Sequence, residues 1–256
     1  MIKKVSLPYE NNPDLFTLDS SEKIWRYLDF TKFVSVLADR ALFFCRADKF
    51  DDRWEGAFPK QNVQKRAANW KVSKLDEPSL LPFLSATYSR LPAQTFINCW
   101  HLNNFESAAM WKLYLSSNEG IAIQTTYGRL IDSFVGKPDE SIHIFVGKVR
   151  YVDYDEEVFP ERTTLIPFLH KRMSFEHERE LRAIIQSPFP GDSSTTGVDE
   201  FPDGLLASVN LDKLIEKVYV APTAPAWFTD LVKSAVATYG FNMSILQSDL
   251  SQDPIY

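Results

Sequence analysis

The chain lacks the motifs that identify several large enzyme classes. Its nine glycines never fall as G-x-G-x-x-G or as a P-loop, and no G-x-S-x-G occurs, so the usual phosphate cradles and the serine-hydrolase elbow are excluded. His177-Glu178 begins like a zincin motif, but Leu181 stands where the second histidine would be needed. The four histidines give no ligand pair at metal spacing. We therefore expect no resident metal.

Cysteines and long apolar runs are also scarce. Only two cysteines occur, Cys45 and Cys99, each inside an apolar run; this count excludes a disulfide scaffold and predicts buried free thiols. No apolar run approaches the ~20 residues that span a bilayer. The first residues lack the apolar stretch of a signal peptide. The sequence therefore predicts a cytoplasmic protein without a membrane partner.

Basic residues are not in excess, since 28 Lys and Arg stand against 34 Asp and Glu, for a net charge of -6. This balance disfavours a dedicated nucleic-acid-binding protein, which needs positive charge to neutralise phosphates. Residues 60–74 are an exception, with five basic residues and no acidic one. They predict a helix with a basic, solvated face, and they leave a local contact with phosphates open.

Apolar material is abundant, with 45% hydrophobic and 14% aromatic residues, which is enough for a folded core. Strands and helices are predicted without regular βαβ alternation, which favours an α+β class with a mixed, mainly antiparallel sheet. We predict a surface arm over 1–22 and a single domain over 23–256. The patterns predict strands at 24–28, 41–46, 96–100, 121–126, 143–152, 181–185, 205–211, 218–220 and 243–246, helices near 30–37, 106–115, 162–175 and 224–239, and a long loop at 75–93.

The candidate chemical centre is the run from Glu176 to Arg182. If this run is extended, period-two alternation places Glu178, Glu180 and Arg182 on one face. An arginine beside two carboxylates can hold both ionised. Such a group can stabilise a developing cation, or act as acid and base. The alternative is a helix end, at which Glu178 and Arg182 form an exposed i,i+4 pair of little energetic weight.

Two other groups of residues are candidates for binding. The loop 48–56 carries four carboxylates, which could hold a hard cation or cap turns. Trp100, Trp111 and Tyr114 surround a helix start, where they either belong to the core or form a stacking wall for a flat ring such as a nicotinamide.

Several of these pieces together resemble a known bacterial family, the domain-of-unknown-function family 2971. The resemblance runs in order from about residue 24 to 222. It is carried by Trp25-Arg26-Tyr27, Leu42-Phe43-Phe44, Asp48-Lys49-Phe50-Asp51-Asp52, Glu55-Gly56, Asn98-Cys99-Trp100, Glu106-Ser107, Met110-Trp111-Lys112-Leu113-Tyr114, Gly120-Ile121-Ala122-Ile123, Lys171-Arg172, Phe175 and Glu178-Arg179-Glu180-Leu181-Arg182. One departure is Asp52-Arg53, where the family often has Asp-Pro.

The order of an early-strand arginine, a central hydroxyl-bearing strand and a late Glu-x-Glu also resembles, more distantly, the ADP-ribosyltransferase layout, which has a split sheet. That resemblance implies NAD as co-substrate. It implies that Arg26 grips the phosphates, that Thr125 or Thr126 supports the nicotinamide pocket, and that Glu180 is catalytic. Glu178 and Arg182 stand beside it, and Trp100 or Tyr114 would stack on the nicotinamide. The central motif lacks its expected serine.

Three hypotheses of function follow. The first is an NAD-using ADP-ribosyltransferase, acting as a toxin or anti-phage effector, for which Arg26, Trp100 or Tyr114, and Glu180 should converge on one cleft. The second is a non-catalytic binding or antitoxin-like regulatory module with a protein partner, which should show an exposed apolar patch. The third is a metal-dependent nuclease or phosphoesterase that uses the acids of residues 48–55 together with Glu178 and Glu180.

Overall fold

The structure is a computed structural model that describes residues 2–73, 80–114, 119–187 and 201–254; for residues 67–73 and 80–83 only the backbone is considered. The strands are β1 (Lys3–Val5), β2 (Lys23–Asp29), β3 (Ala41–Arg46), β4 (Thr95–Leu102), β5 (Gly120–Thr126), β6 (Ile144–Lys148), β7 (Arg150–Val152), β8 (His170–Arg172), β9 (Glu180–Gln186), β10 (Gly204–Ser208), β11 (Lys217–Val220) and β12 (Ile245–Gln247). The α-helices are α1 (Phe30–Asp39), α2 (Lys60–Ser73), α3 (Leu80–Gln94), α4 (Ala108–Tyr114), α5 (Tyr127–Ser133), α6 (Leu211–Leu214) and α7 (Ala226–Thr238). Short 3-10 helices cover Ala47–Lys49, Ile166–Leu169 and Met173–Glu178.

Ten of these strands form one sheet, in the order β1-β10-β3-β4-β2-β5-β11-β12, with β9 paired to β4 and β6 paired to β9. Within it, β1 runs parallel to β10 and β11 runs parallel to β12, whereas the other neighbours are antiparallel. Strands β7 and β8 form a small parallel sheet of their own. The predicted α+β class with a mixed, mainly antiparallel sheet is confirmed, as is the single domain.

Local sequence explains how the first helix is placed beside the sheet. Asp29 ends β2 and caps α1, because its side chain accepts a hydrogen bond of 2.8 Å from the backbone N–H of Lys32. Helix α1 ends at Arg40, whose φ of 47° lies in the left-handed region. The turn leads directly into β3, so α1 alone connects β2 to β3 along the chain.

Three apolar clusters pack against the sheet, and strand alternation decides which cluster a side chain joins. On β4, Phe96 and Trp100 belong to the larger cluster, where α1 contributes Phe33 and α7 contributes Phe228. Ile97, between them, belongs to the second cluster, which packs under the 3-10 helix Ile166–Leu169. Burying both faces explains why the central strands are apolar almost throughout.

Several sequence predictions differ from the structure. Residues 162–175, predicted to be helical, form two 3-10 helices with β8 between them, because His170–Arg172 pair with β7. Part of the predicted loop 75–93 is helix α3, which has Pro92 inside its last turn; residues 74–79 lie outside the described part. The single strand predicted for 143–152 is divided into β6 and β7, which belong to different sheets.

The segment 1–22, predicted to be a surface arm, adds β1 to the edge of the sheet through pairing with β10. Leu7 of this segment is buried in the larger apolar cluster, and Leu15 is buried in the second. The basic segment is helical over Lys60–Ser73, as expected, and Lys74 lies outside the described residues. None of the described helices has the length and apolar character required to cross a membrane.

Candidate functional site

The site begins at a fork in the central sheet. Along one edge, β4 pairs continuously with β9. Along the other edge, β4 pairs first with β3, up to Ile97, and then with β2, from His101 onwards. The three residues between, Asn98, Cys99 and Trp100, have no strand partner on that edge, and β2 and β3 diverge around them. We call these three residues of β4 the fork.

Side chains replace the missing strand contacts at the fork. The Nδ2 atom of Asn98 donates to the backbone carbonyl of Phe43 at 2.8 Å, and Asn98 Oδ1 accepts from the indole N–H of Trp100 at 2.7 Å. On the β2 side, Arg26 Nη1 donates to the backbone carbonyl of Cys99 at 2.6 Å. Because buried backbone groups need partners, these bonds let the strands separate without leaving these groups unpaired.

The space between the diverging strands is a cleft of about 260 Å³. Strands β2, β3 and β4 form its walls, and α4 closes one side with Met110 and Tyr114. Of the seven residues that the sequence proposed for the site, five line the cleft: Arg26, Trp100, Tyr114, Glu178 and Glu180. The fork therefore brings together residues that lie more than 150 positions apart in the chain.

The two glutamates reach the cleft from different elements. Glu178 ends the 3-10 helix Met173–Glu178, and Glu180 begins β9. Arg179 between them has a φ of 42°, in the left-handed region. The chain therefore turns sharply at Arg179, and both carboxyl groups contact one ammonium group, that of Lys171. The simple strand alternation expected for Glu178 and Glu180 is thus wrong in detail, although the two side chains do converge.

Beneath the cleft lies a buried charged network centred on Arg182. Its Nε donates to Glu180 Oε2 at 2.6 Å, and its two terminal nitrogens lie 2.5 and 3.0 Å from the carboxylate oxygens of Glu55. Lys171 Nζ lies 2.8 Å from Glu180 Oε1 and also contacts Glu178. We call Glu55, Lys171, Glu178, Glu180 and Arg182 the charged cluster. With all three carboxyl groups ionised it carries one negative charge in excess.

The environment gives the two cleft glutamates different protonation states. Burial, the hydrogen bond with Glu180 and the negative charge of Glu180 raise the pKa of Glu178 to about 7. Burial also acts to raise the pKa of Glu180, but the positive charge of Arg182, the hydrogen bond from Glu178 and the charge of Lys171 outweigh it and hold that pKa well below the usual range. A carboxylate that stays ionised thus lies beside a carboxyl group that exchanges its proton near neutral pH, which is the pairing that acid–base chemistry requires.

Arg26 supplies positive charge on the opposite wall. Burial lowers the pKa of its guanidinium group, but an arginine remains a cation in proteins. Its carbon Cζ lies 5.9 Å from the ring centroid of Trp100. None of the ion pairs in the described part of the chain involves Arg26, and most of its five N–H donors are left for a ligand.

Two proposed binding residues have different roles. Thr125 lies on β5 with no exposed surface, and its hydroxyl group donates to the carbonyl of Leu214, away from the cleft. Thr126, the other candidate, caps α5 by accepting a hydrogen bond from the backbone N–H of Arg129. Arg182 is fully buried and does not line the cleft. It holds the carboxylates in place from below, so neither Thr125 nor Arg182 is among the residues that line the cleft.

The structure also adds Lys171 and Asn98, which the sequence did not single out. Lys171 and Glu55 complete the charged cluster, and Asn98 holds the fork open. Glu55 was considered as one of the acids of the loop 48–56, whereas the only sequence signal of Lys171 and Asn98 was membership of the ordered pattern that resembles family 2971. His101 lines the cleft as well, and its ring nitrogen Nδ1 lies 2.7 Å from the carbonyl oxygen of Glu178.

Neither of the two cysteines that line the cleft, Cys45 and Cys99, is an activated nucleophile, because burial raises the pKa of both thiols. Burial and the negative charge of Glu180 raise the pKa of the Cys99 thiol well above its ordinary value. A thiol in that environment stays protonated at neutral pH, and the thiolate is the reactive form. Cys99 therefore contributes shape to the cleft, and nucleophilic chemistry there belongs to other groups.

The acids of the loop 48–56 are largely paired with arginines. Asp48 accepts from Arg46 at 2.7 Å, Asp52 from Arg172 at 2.7 Å, and Glu55 is bound by Arg182. Phe50 packs against the second cluster, and Trp54, which is 45% exposed, lies edge-on against the buried ring of Tyr154 in that cluster. Among the described residues, no three His, Cys, Asp or Glu side chains converge as a metal site would require.

Comparisons of the chain with protein-family models, with curated proteins and with solved structures give no match. The resemblance to family 2971 and the more distant likeness to ADP-ribosyltransferases therefore stay hypotheses.

Proposed function

We propose that this chain is an NAD-using enzyme of the ADP-ribosyltransferase type, which breaks the bond between nicotinamide and ribose and passes the ADP-ribose to an acceptor. The observation that carries the proposal is the cleft at the fork, which is lined both by Glu180, a carboxylate whose pKa is held well below its usual range, and by the arginine Arg26. A toxin or anti-phage effector is the biological role that fits such a reaction.

The charged cluster suits the charge that develops in this reaction. As the C–N bond breaks, its electron pair leaves with the nicotinamide ring, and positive charge builds on the ribose. Glu180 is fixed by Lys171 and Arg182 at 2.8 and 2.6 Å, so it needs no reorganisation to face that charge. Preorganised groups of this kind are a major source of rate enhancement.

Glu178 supplies the proton transfer that completes the reaction. The acceptor hydroxyl or water forms a bond to the ribose carbon and releases a proton, and the carboxylate of Glu178 takes it. A base is most effective when its pKa lies near the working pH, and that of Glu178 is about 7. Glu178 is also the more accessible of the two carboxyl groups, with 14% of its side chain exposed against 6% for Glu180.

The size of the cleft fixes how much of the dinucleotide it can enclose. Its volume of about 260 Å³ is slightly below the ~300–1,000 Å³ of pockets that bury a whole drug-sized ligand. In this proposal the nicotinamide and its ribose occupy the enclosed part of the cleft beside Tyr114, while Trp100 is buried in the core. The diphosphate then lies towards Arg26, and the adenosine lies outside the enclosed part.

The direct test is release of nicotinamide from NAD, followed by chromatography, with wild-type protein and the Glu180→Gln variant. We expect the variant to be slower by roughly 10²–10³-fold, the usual effect of removing a group that stabilises the transition state. The matched control is Glu176→Gln, which removes an exposed carboxylate from the neighbouring 3-10 helix. Equal rates for wild type and Glu180→Gln, or no release by wild type in the presence of protein acceptors, would overturn the proposal.

A second candidate function, a non-catalytic module that binds a protein partner, is favoured by one observation. Three large apolar side chains on or just before α4 are at least half exposed: Phe105, Leu113 and Tyr114. Exposed apolar surface of this kind is typical of interaction sites. The Phe105→Ser/Leu113→Ser double variant tests it, since loss of partner capture with unchanged NAD chemistry would assign binding to this surface.

A further inference from the structure

His101 has a buried nitrogen without a partner at the side of the cleft. Only 6% of the residue is exposed. Its Nε2 atom is inaccessible and has no hydrogen-bond partner among the described residues. A buried polar atom without a partner costs about 1–3 kcal/mol, so such atoms call for an explanation. Because His101 lines the cleft, a bound ligand is a natural partner for that nitrogen.

The other ring nitrogen determines what kind of partner is needed. Nδ1 lies 2.7 Å from the backbone carbonyl of Glu178. A carbonyl oxygen can only accept, so Nδ1 carries the proton and donates it. Burial lowers the pKa of the imidazole, which keeps the ring neutral. Nε2 is then an unprotonated acceptor, and it can be satisfied only by an N–H or O–H donor.

The surroundings of the ring hold it in this orientation. Tyr27 packs edge-on against His101 with ring centroids 6.3 Å apart, and the Tyr27 hydroxyl group accepts from the backbone N–H of Ser107. His101 is also the strand partner of Glu180 on β9. A ligand that meets Nε2 therefore occupies the cleft that both glutamates line.

We infer that His101 is a specificity-determining residue whose Nε2 atom accepts a hydrogen bond from a neutral N–H or O–H group of the bound substrate. Since the substrate is taken to be NAD, this inference rests on the proposed function. Two groups of NAD have the required chemistry beside the reacting bond: the amide of the nicotinamide and the hydroxyls of its ribose. With either group as the donor, His101 disfavours ligands that place only hydrogen-bond acceptors beside its Nε2 atom.

The test uses ligands that the enzyme does not consume, with the full chain labelled with ¹⁵N at histidine. Nicotinamide carries the amide donor, 3-acetylpyridine replaces that NH₂ group by a methyl group, and ADP-ribose lacks the nicotinamide but keeps the hydroxyls of the ribose. The Nε2 resonance of His101 is assigned with a His101→Gln variant, and binding of each ligand is measured separately by calorimetry. Acceptance of a hydrogen bond moves the resonance of an unprotonated ring nitrogen upfield.

An upfield shift with nicotinamide but not with 3-acetylpyridine assigns the donor to the amide, and a shift with ADP-ribose alone assigns it to a hydroxyl. We also expect His101→Phe to weaken binding of the effective ligand by roughly fivefold to tenfold, the effect of one neutral hydrogen bond, and His101→Gln to weaken it less. Ligands that bind without moving the resonance, or equal shifts with nicotinamide and 3-acetylpyridine, overturn the inference and leave the proposed function standing. Failure of all three ligands to bind counts against both.

Discussion

The Nζ atom of Lys171 lies 2.8 Å from Glu180 Oε1 and also contacts Glu178, so one ammonium group joins both carboxyl groups of the cleft. Lys171 belongs to β8, whereas the glutamates flank the left-handed turn at Arg179. The ammonium group acts on the two carboxyls unequally, because Glu180 is also bound by Arg182. Lys171 is therefore the residue through which the proton affinity of Glu178 can be adjusted.

The first prediction concerns the pH dependence of NAD consumption. Glu178 must be ionised to take a proton, and its pKa is about 7, so the rate should rise as pH increases through about 7 and then level off. Glu178→Gln should be slower by roughly 10²–10⁴-fold, the usual contribution of a general base, and should lose this rise. A pH series of nicotinamide release measures both. An unchanged pH profile in the variant would remove Glu178 from the proton transfer.

Replacement of Lys171 should shift the pH profile of NAD consumption. The ammonium group lowers the pKa of Glu178 through its charge and hydrogen bond, so Lys171→Met should raise the pKa and shift the midpoint of the rate above pH 7. Lys148→Met, which removes an exposed lysine of β6, is the matched control and should leave the midpoint in place. A midpoint that moves down in Lys171→Met contradicts the assignment.

The stability of the fold should also depend on pH through Glu178, and the pKa of Glu178 determines the direction of that dependence. Its folded pKa of about 7 lies above the ordinary value of about 4.5, so the folded state binds a proton more tightly than the unfolded state does. The free energy of unfolding should therefore fall as pH rises from about 4.5 to 7. The expected loss is about 2 kcal/mol after allowance for solvent around the partly exposed side chain.

Glu178→Gln should not show this loss, because the amide does not titrate. Urea unfolding at several pH values measures the difference between the two proteins. Glu180 does not contribute to the change in stability between pH 4.5 and 7. Its lowered pKa confines its own titration to pH values below the ordinary value of about 4.5. Parallel stability curves for wild type and Glu178→Gln between pH 4.5 and 7 would show that the pKa is not raised.

Some parts of this structure could be predicted from the sequence, and others could not. Strands such as β3 and β11 and the helix α1 were predicted closely, because local apolar patterns and the Asp29 cap determine them. The helix predicted at 162–175 was wrong, because Pro167 and the pairing of β8 with β7 override local propensity. Tertiary contacts of that kind have no short-range signal.

The candidate site also has parts that could be predicted from the sequence and parts that could not. Glu178 and Glu180 were visible as a spaced pair of acids in the sequence. Their convergence on Lys171 depends on a left-handed residue, Arg179, where no glycine or asparagine signals a positive φ. The partnership of Glu55 with Arg182 joins residues 127 positions apart, and only the complete sheet brings them together.

Arg182 should be the most sensitive residue of the charged cluster for stability. It is fully buried and binds both Glu55 and Glu180. Arg182→Met would leave Glu55 without its cation and Glu180 with Lys171 alone, and breaking such a buried pair typically costs about 3–5 kcal/mol. Arg179→Met, at an exposed position of the same segment, is the control and should cost little. Equal stability of the two variants in urea would contradict the buried network.

The last prediction addresses the fork, which shapes the cleft. Asn98→Leu is close in volume but removes the donor to the Phe43 carbonyl and the acceptor for the Trp100 indole N–H. Each buried group left unpaired costs about 1–3 kcal/mol, so the variant should lose about 3 kcal/mol in urea unfolding. Asn104→Leu, at an exposed position just after β4, is the control.

Asn98→Leu should also affect the reaction. Trp100 lies against Arg26, and the Trp100 ring is held in place by Asn98. We expect Asn98→Leu to weaken NAD binding more than it slows turnover of bound NAD, since Glu178 and Glu180 are held from β8 and β9 and keep their partners. Steady-state measurements separate the two effects as KM and kcat. A variant that loses kcat but not KM would place the fork in the catalytic machinery, and one that changes neither would show that the cleft does not depend on it.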